Sequence, residues 1–309
     1  MSNADRTQKS EPVNLSIVIV SYNTREMLRK CMQSLPASLP HHSWDVWVVD
    51  NDSSDGSAEM IACDYPAAHL ISNRHNPGFA CANNQALKEC SGRILLLLNP
   101  DTEPHPGSLS LMIDYLEKHD DVGVVGPMLL NTDGSLQHNG GRFPSPIRDL
   151  LTYTGLIQRL PDSTKMRIRY GSNDFNAVRN VDQVSGACLM FPRSVFDKIG
   201  GLDESYFMFF EEIEFCLRVQ RTGKRVVYYP EAKVVHHWMG SVRKNYREME
   251  KQLNRSRILY YRKTAGIVTI AFGILAAGIA HLHAEFISTG VKVKRKLKGL
   301  MKPGEVSDK

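Results

Sequence analysis

Short apolar runs alternate with amphipathic stretches through the first 130 residues of the chain. The apolar runs are rich in Val, Ile and Leu, as are strands that are buried on both faces of a sheet. These runs lie at residues 15–20, 46–49, 69–71, 94–98 and 122–125. Helices are predicted between them at residues 25–35, 78–90 and 107–119. Strands and helices that alternate at these spacings predict βαβ units, and hence an α/β, Rossmann-like fold with a mainly parallel central sheet.

The regular pattern is lost after residue 130 and returns near residue 181. Residues 131–180 are rich in Gly, Pro, Asn and Arg and show little periodicity, so we predict a long, partly mobile loop region. Ordered structure is expected again at residues 181–191, followed by a helix near 192–199. The acidic segment 211–214 then begins a further helix, directly after a mostly aromatic run.

The last part of the chain is both apolar and basic, and we predict that it is helical. Residues 265–280 carry no charged side chain, and basic residues flank them at 262–263 and within 292–302. A helix that spans a bilayer needs about 20 apolar residues. A single spanning helix is therefore less favoured than a helix that lies in the membrane interface. An ordinary core helix with a solvated tail is the alternative.

Composition narrows the functional classes to which the chain can belong. The net charge is +5, and outside the C-terminal tail no basic stripe is interleaved with aromatic residues, so no nucleic-acid partner is expected. The six cysteines form no CxxC pair, which argues against a zinc site or a disulfide framework. The polar N-terminus lacks the apolar core of a signal peptide, which favours the cytoplasm. No GxGxxG follows the first predicted strand, so a dehydrogenase is poorly supported.

Two polar clusters lie at strand ends or helix starts in the first half of the chain. Asp50 ends a predicted strand, where a carboxylate can accept the N3–H of a uracil or thymine ring or bind a ribose hydroxyl. An ordinary polar turn would use the same residue types. Asn76, Gly78 and Asn83 form the second cluster, because a small residue lets the backbone approach a ligand and amides bridge loops. A plain helix N-terminus explains this cluster nearly as well.

Acidic residues and histidines supply the candidate chemistry. Asp101 follows a buried strand, where a carboxylate can hold a divalent cation on a diphosphate; a solvated loop acid is the alternative. Glu211 and Glu212 lie at a helix start and can supply a general base, unless they form only a solvated acidic turn. His236 and His237 are candidate metal ligands, although a histidine pair is more often structural.

Taken in chain order, these stretches resemble glycosyltransferase family 2, of the GT-A fold, and in particular its bacterial rhamnosyltransferase-like members. Each match alone is weak, whereas eight matches in the family's order are specific. The matching stretches are residues 16–23, 49–57, 76–84, 97–101, 184–187, 200–204, 209–218 and 234–241. The chain is accordingly divided into a disordered N-terminus at 1–14, a GT-A glycosyltransferase domain at 15–245, and a helical, basic, membrane-associating segment at 246–309.

The resemblance also implies roles for individual residues. The nucleoside-diphosphate sugar would contact Ser21, Asn23, Asp50, Asn51, Asn76, Gly78, Asn83, Asn99, Gly186 and Ala187. Asp101 matches the last Asp of the family's metal-binding DxD motif, which here reads Asn-Pro-Asp. His237 matches a histidine that binds the metal or the diphosphate, with His236 as the near alternative. Glu211 and Glu212 match the family's Glu-Asp pair, which makes Glu212 the general base.

The implied activity is an inverting transfer of a sugar from a nucleoside diphosphate, with Mg²⁺ or Mn²⁺ as cofactor. The donor would be linked to dTDP or UDP, with rhamnose among the candidate sugars. The acceptor would be a hydroxyl of a growing, lipid-linked cell-surface polysaccharide, which fits a protein lying peripherally on the inner face of the cell membrane. A processive synthase is less favoured, because the sequence has neither several clear membrane helices nor a QxxRW-like motif. A non-catalytic relative that only binds nucleotide sugars is the alternative from another class.

Overall fold

The computed structural model describes residues 13–237 and 246–264, together with Gly278. Within these residues a sheet of ten strands forms, and helices pack against it. The strands are β1 Leu15–Ser21, β2 Trp44–Asp50, β3 His69–Ser72, β4 Ile94–Leu98, β5 Thr102–Pro104, β6 Val122–Leu130, β7 Leu136–Gln137, β8 Arg179–Val181, β9 Cys188–Pro192 and β10 Arg225–His236. The helices are α1 Arg25–Ser38, α2 Ser57–Asp64, α3 Phe79–Glu89, α4 Ser108–Lys118, α5 Pro146–Tyr153, α6 Asp162–Tyr170, α7 Arg193–Ile199, α8 Glu211–Arg221 and α9 Tyr246–Thr264, with a 3₁₀ helix at Leu156–Arg159.

The strands lie in the order β3-β2-β1-β4-β9-β6-β10-β5, with β7 beside β6 and β8 beside β10. The first four strands in this order are parallel to their neighbours, and so are β6 and β10. β9 is antiparallel to both β4 and β6 and joins the two parallel groups. The predicted α/β fold is confirmed. The antiparallel strands are an addition, because strand–helix alternation, which predicts only parallel pairs, ends near residue 130.

Buried strands carry the candidate residues to one edge of the sheet. Every residue of β1 and β4 is buried. Along these two segments, side chains can therefore contact a ligand only at the strand ends. The register pairs Ser21 at the end of β1 with Asp50 at the end of β2, and Ile19 with Leu98 at the end of β4. Because parallel strands end at the same edge, Ser21, Asp50 and the residues after Leu98 share the rim at which open α/β sheets bind ligands.

Residues 131–180 are the part of the chain for which the prediction of a loop is wrong. The structure forms β7, α5, the 3₁₀ helix, α6 and the start of β8 in this range. The helices are short, and α6 buries none of its residues. α6 therefore has no apolar face with the period of a helix. In α5, Ile147, Leu150 and Leu151 have helical spacing, but eight residues are too few for this spacing to stand out from a range rich in Gly and Pro. Pro146 begins α5, where its fixed φ favours the helix and its missing N–H costs no hydrogen bond.

The chain divides into two compact units. The first comprises residues up to 143 and 166–257, and the second comprises residues 144–165 and those from 258 on. The first unit carries the sheet and all the candidate site residues. Within the second unit, the Tyr261 hydroxyl donates to Asp149 Oδ2 at 2.7 Å, which ties the end of α9 to α5.

α9 begins the predicted C-terminal segment. Within residues 13–237 and 246–264, no helix has both the length and the apolarity that crossing a bilayer requires. The apolar stretch 265–280, apart from Gly278, and the first twelve residues of the predicted disordered N-terminus lie outside the described residues.

Candidate active site

A buried carboxylate at the end of β2 forms the first part of the candidate site. Asp50 is 3% exposed, and its Oδ2 accepts the backbone N–H of Ser53 at 2.9 Å. Its Oδ1 has no hydrogen-bond partner among the described residues. The next residue, Asn51, donates its backbone N–H to the carbonyl of Ser21 at 2.9 Å. A buried acceptor without a partner costs free energy, so Asp50 Oδ1 is suited to accept an N–H or O–H from a ligand.

Asn23 ties the loop after β1 to the loop after β2. Its backbone N–H donates to Ser53 Oγ at 2.9 Å, and its Oδ1 accepts the N–H of Ser54 at 2.8 Å. Asn23 and Asp52 both have left-handed backbone conformations, with φ of 55° and 66°, which Asn and Asp adopt more readily than most residues. Asn23 therefore shapes the rim around Asp50, and its side-chain oxygen is already engaged within the protein.

A second set of amides continues the rim from Asn51 to α3. Asn51 Nδ2 donates to Asn76 Oδ1 at 3.2 Å, and the N–H of Gly78 donates to the same oxygen at 2.9 Å. Gly78 has φ of +94°, and a Cβ at this position would lie 2.5 Å from the carbonyl oxygen of Phe207, so only glycine fits. Asn83 is not part of this set, because it is buried on α3 and its Nδ2 donates to a carbonyl of its own helix at 2.8 Å.

The backbone after β4 is joined to the segment before β9. Asn99 donates its N–H to the carbonyl of Ala187 at 2.9 Å. Gly186, one residue earlier, faces Glu212, because a Cβ on Gly186 would lie 3.5 Å from the Cβ of Glu212. The structure thus brings the predicted donor-sugar residues, the backbone that leads to Asp101 and the predicted general base into one neighbourhood.

Glu211 and Glu212 form a carboxyl pair at the N-terminus of α8, in which Glu211 is buried and Glu212 is half-buried. Each has an Oε2 atom that is shielded from solvent and has no hydrogen-bond partner among the described residues. Burial raises the pKa of Glu212 to about 7, although backbone hydrogen bonds act to lower it. Burial, and next the charge of Glu212, raise the pKa of Glu211 well above its ordinary value. The pair therefore holds a proton near neutral pH, and a carboxylate with a pKa near 7 is suited to act as a general base.

The backbone that leads into this pair is strained. Phe209 and Phe210 have left-handed φ values of 69° and 73°, a conformation that costs about 1–3 kcal/mol for each such residue and that clusters at functional sites. Glu214, one turn further along α8, is different, because it accepts two hydrogen bonds from Arg218 Nε at 2.9 and 2.8 Å. Glu214 therefore belongs to the structural support of α8, whereas Glu211 and Glu212 belong to the site.

His236 and His237 both lie near Asp101, but only one of the two rings contacts its carboxylate. Its Oδ1 lies 3.3 Å from Nε2 of His236, whose Nδ1 lies 2.6 Å from Oε1 of Gln137, a residue that the sequence did not single out. His237 donates its backbone N–H to the carbonyl of Asp101 at 2.9 Å, but its ring Nε2 lies 2.6 Å from Oε1 of Glu103. The structure thus sets the ring of His236 beside Asp101, and the ring of His237, the predicted ligand, beside Glu103.

The donor atoms at this rim suit a cation that arrives with its substrate. Within residues 13–237 and 246–264, no group of three or more His, Cys, Asp or Glu side chains forms a metal site. A carboxylate oxygen still suits Mg²⁺ or Mn²⁺, because such ions are commonly held by one or two carboxylates together with substrate phosphates. The imidazole nitrogen beside it suits the softer Mn²⁺ better than Mg²⁺. The residues therefore fit a cation whose remaining positions are filled by a diphosphate and water.

Asn139 is a further site residue that sequence reasoning missed. It is buried, and its Oδ1 accepts the N–H groups of Gly140 and Ser185, both at 2.8 Å. Its Nδ2 donates to the carbonyl of Pro127 at 2.7 Å. Asn139 therefore fixes the backbone directly before Gly186. The pair of glycines that follows Asn139 is the only local signal of a special backbone here, and it does not reveal a partner so distant in sequence.

Comparison with known proteins identifies a family and several relatives. The family described as Glycosyl transferase family 2 matches residues 16–200. The chain is 30% identical over 237 residues to an N-acetylglucosaminyl-diphospho-decaprenol L-rhamnosyltransferase of Mycobacterium tuberculosis, with 72% of this chain and 76% of that protein covered. It is 26% identical over 226 residues to the dTDP-rhamnosyl transferase RfbF of Shigella flexneri, with 72% and 69% covered.

Among solved structures, the mannosyltransferase PcManGT from Pyrobaculum calidifontis, in complex with GDP-Man and Mn²⁺, resembles the chain with a TM-score of 0.55. The sequence identity is 14%, and the alignment covers 92% of this chain and 81% of that one. At this identity the likeness concerns the fold, and the predicted GT-A fold is confirmed.

Proposed function

Since this chain belongs to glycosyl transferase family 2, we propose that it transfers a hexose, with inversion, from a nucleoside diphosphate to a hydroxyl of a lipid-linked glycan. The observation that carries the proposal is the pair Glu211 and Glu212 beside Gly186, in which each residue has an Oε2 atom that is shielded from solvent and has no hydrogen-bond partner among the described residues. Carboxylate oxygens that are buried without partners lower the stability of the fold. A protein that only binds nucleotide sugars gains nothing from that loss, so the pair favours catalysis over the non-catalytic alternative.

In the proposed reaction, ionised Glu212 takes the proton of the acceptor hydroxyl as that oxygen attacks the anomeric carbon. The bond from this carbon to the diphosphate breaks, and the nucleoside diphosphate leaves from the opposite face with the electron pair. The sugar passes through an oxocarbenium-like state, as in other glycosyl chemistry. Glu211 stays protonated beside Glu212, because burial and the charge of Glu212 raise its pKa.

The nucleobase is assigned to Asp50 in this proposal. Its unpartnered Oδ1 can accept the N3–H of uracil or thymine, a donor that cytosine does not have. A dTDP-linked donor is favoured over a UDP-linked one, because one relative is by name a dTDP-rhamnosyl transferase, and rhamnose is then the first sugar to test. Gly186 and Ala187 would line the sugar ring within reach of Glu212.

The diphosphate is assigned to Asp101 and the histidines at the end of β10. Asp101 would give a carboxylate oxygen to Mg²⁺ or Mn²⁺, and His237 or His236 would give an imidazole nitrogen. Such an ion, when bound, neutralises the charge that develops on the leaving diphosphate. The ion in the complex of PcManGT is Mn²⁺, which agrees with this choice of metal.

The acceptor is proposed to be carried by a membrane lipid, because the mycobacterial relative acts, by its name, on a diphospho-decaprenol. The basic residues within 292–302 would then contact anionic headgroups on the inner face of the cell membrane. Deletion of residues 265–309 should release the protein from vesicles that contain phosphatidylglycerol, whereas deletion of residues 2–12 should not. Vesicle binding that survives the first deletion would contradict this part of the proposal.

Transfer itself is tested with purified protein, dTDP- and UDP-linked sugars, Mn²⁺ and a polyprenyl-diphosphate sugar. We expect the wild type to form a glycolipid whose new bond has the opposite anomeric configuration to the donor, as read by NMR. Glu212→Gln should bind the donor with unchanged affinity in calorimetry and turn over 10²–10⁴ times more slowly, the usual contribution of a general base. Donor binding without product in the wild type would refute transfer and favour the non-catalytic relative.

A further inference from the structure

We infer that Gln137 sets the tautomer of His236 and so aims the lone pair of Nε2 at Asp101, which makes His236, rather than His237, the nitrogen ligand of the cation at the diphosphate. The inference rests on the proposed function, because it concerns the cation that would accompany that diphosphate. Gln137 is a positioning residue in this arrangement, since it acts on the cation only through the ring of His236.

A chain of hydrogen bonds gives each amide near His236 a single orientation. A hydrogen bond from Ser135 lowers the pKa of Asp133, which is therefore ionised at neutral pH and can only accept hydrogen bonds. The Ser135 hydroxyl donates to Asp133 Oδ1 at 2.6 Å, so its oxygen accepts from Asn131 Nδ2 at 2.9 Å. Asn131 Oδ1 in turn accepts from Gln137 Nε2 at 3.2 Å. Gln137 therefore presents its oxygen, and not its amide nitrogen, to His236.

This oxygen decides which nitrogen of His236 carries the proton. Gln137 Oε1 lies 2.6 Å from Nδ1, so Nδ1 is the donor. In the neutral ring, Nε2 then carries a lone pair, and it lies 3.3 Å from Asp101 Oδ1. Two acceptor atoms at this distance repel each other unless a proton or a cation lies between them. A charge-assisted hydrogen bond would be shorter, at about 2.8 Å, whereas adjacent ligands of an octahedral ion with bonds of about 2.1 Å are about 3 Å apart.

His237 has the opposite surroundings. Its Nε2 lies 2.6 Å from Glu103 Oε1, so a proton lies between these two atoms. That nitrogen cannot offer a lone pair to a cation while it makes this hydrogen bond. Consecutive side chains at the end of a strand point to opposite faces, which agrees with only one of the two rings lying beside Asp101.

The inference is tested by measuring the affinity for Mn²⁺ in the presence of dTDP. Binding is monitored as the loss of the electron paramagnetic resonance signal of free Mn²⁺. Gln137→Leu should weaken Mn²⁺ 10–100-fold, the usual effect of removing a residue that orients a metal-ligating histidine. Gln137→Glu keeps an acceptor for Nδ1–H and should restore most of the affinity. Gln158→Leu, the same change at an exposed glutamine, is the matched control and should bind Mn²⁺ as the wild type does.

Two spectroscopic readouts separate the ligand from mere structural support. Pulsed electron paramagnetic resonance should detect hyperfine coupling between Mn²⁺ and a histidine nitrogen in the wild type and in His237→Ala. It should detect no such coupling in His236→Ala. In the metal-free protein, at a pH at which the ring of His236 is neutral, ¹⁵N NMR should find the Nδ1–H tautomer of His236 in the wild type and a mixture of tautomers in Gln137→Leu. Coupling that is lost only in His237→Ala, or wild-type Mn²⁺ affinity in Gln137→Leu, would overturn the inference.

Failure of this inference and failure of the proposed function give different results. A wild type that binds no Mn²⁺ with dTDP, yet forms glycolipid in the presence of EDTA, would overturn the assignment of His236 and leave transfer intact. A wild type that binds Mn²⁺ through His236 but forms no product with any donor would support the ligand assignment and refute transfer.

Discussion

Replacement of Glu212 by Gln should slow turnover 10²–10⁴-fold and, at alkaline pH, stabilise the fold, and both effects have one cause. Gln keeps the shape of the side chain but cannot ionise. Burial raises the pKa of Glu212 in the folded protein from an ordinary value of 4.5 to about 7. In the unfolded chain, the same carboxyl group loses its proton near its ordinary pKa. The folded state of the wild type therefore binds this proton more tightly than the unfolded state does.

The sign and size of the effect on stability follow from this difference. The tighter binding of this proton by the folded state contributes to the unfolding free energy. This contribution is complete below about pH 4, declines as the pH rises between the two pKa values, and is lost above about pH 7. The difference between these two pKa values corresponds to about 3.4 kcal/mol. Because Glu212 is partly exposed to solvent, we discount this to about 2 kcal/mol. Glu212→Gln should therefore exceed the wild type in unfolding free energy by about 2 kcal/mol at pH 8.5 and should match it near pH 4.5.

Urea unfolding at the two pH values measures this difference, and glycolipid formation measures turnover. Glu214→Gln is the control on the same helix: Glu214 is paired with Arg218, so this variant should lose stability at both pH values and gain none at pH 8.5. A Glu212→Gln protein that is no more stable than the wild type at pH 8.5 would refute the raised pKa of Glu212 in the folded state. One that still turns over within tenfold of the wild-type rate would refute its role as general base.

Three further substitutions test other parts of the site. Asn139→Ala should lower the unfolding free energy by about 3 kcal/mol, because it leaves the N–H groups of buried Gly140 and half-buried Ser185 without their acceptor, and should raise the donor KM; wild-type values for both would contradict its role. Gly78→Ala should lower the melting temperature by several degrees, because its Cβ would collide with the carbonyl of Phe207; an unchanged melting temperature in calorimetry would be the contrary result. Asp50→Asn should weaken dTDP and UDP at least tenfold in calorimetry while CDP gains relative to both, because an amide can donate to N3 of cytosine; equal losses for all three nucleotides would argue against base contact.

Strand ends were the most predictable part of the site. The runs before Asp50 and Asn99 are apolar and short, and parallel strands bring their carboxyl ends to one edge whatever the details of packing. The pair at Glu211 was also visible in the sequence. The raised pKa values of this pair could not be predicted. An acidic turn in water and an acidic pair shielded from solvent have the same sequence and differ only in the residues that pack over them.

The contribution of residues 131–187 could not be predicted, for two physical reasons. Helices as short as α5 and α6 offer only about two turns of apolar periodicity, and α6 offers none because it buries no residue. In addition, Asn139 acts through Ser185, and a hydrogen bond between residues so distant in sequence has no local signal. The choice between His236 and His237 depends on which side chain faces Asp101 at the end of β10, and a shift of one residue reverses that choice.

The tie that Asn23 makes to the loop after β2 bears on the rate at which a nucleotide binds. Because the two loops are already joined, binding of the proposed nucleotide should order little additional backbone, and the entropic cost of association should be small. The observed association rate should therefore rise linearly with nucleotide concentration in stopped-flow measurements, with no plateau set by loop closure. Any slow rearrangement in the catalytic cycle would then belong to the acceptor and to the release of product.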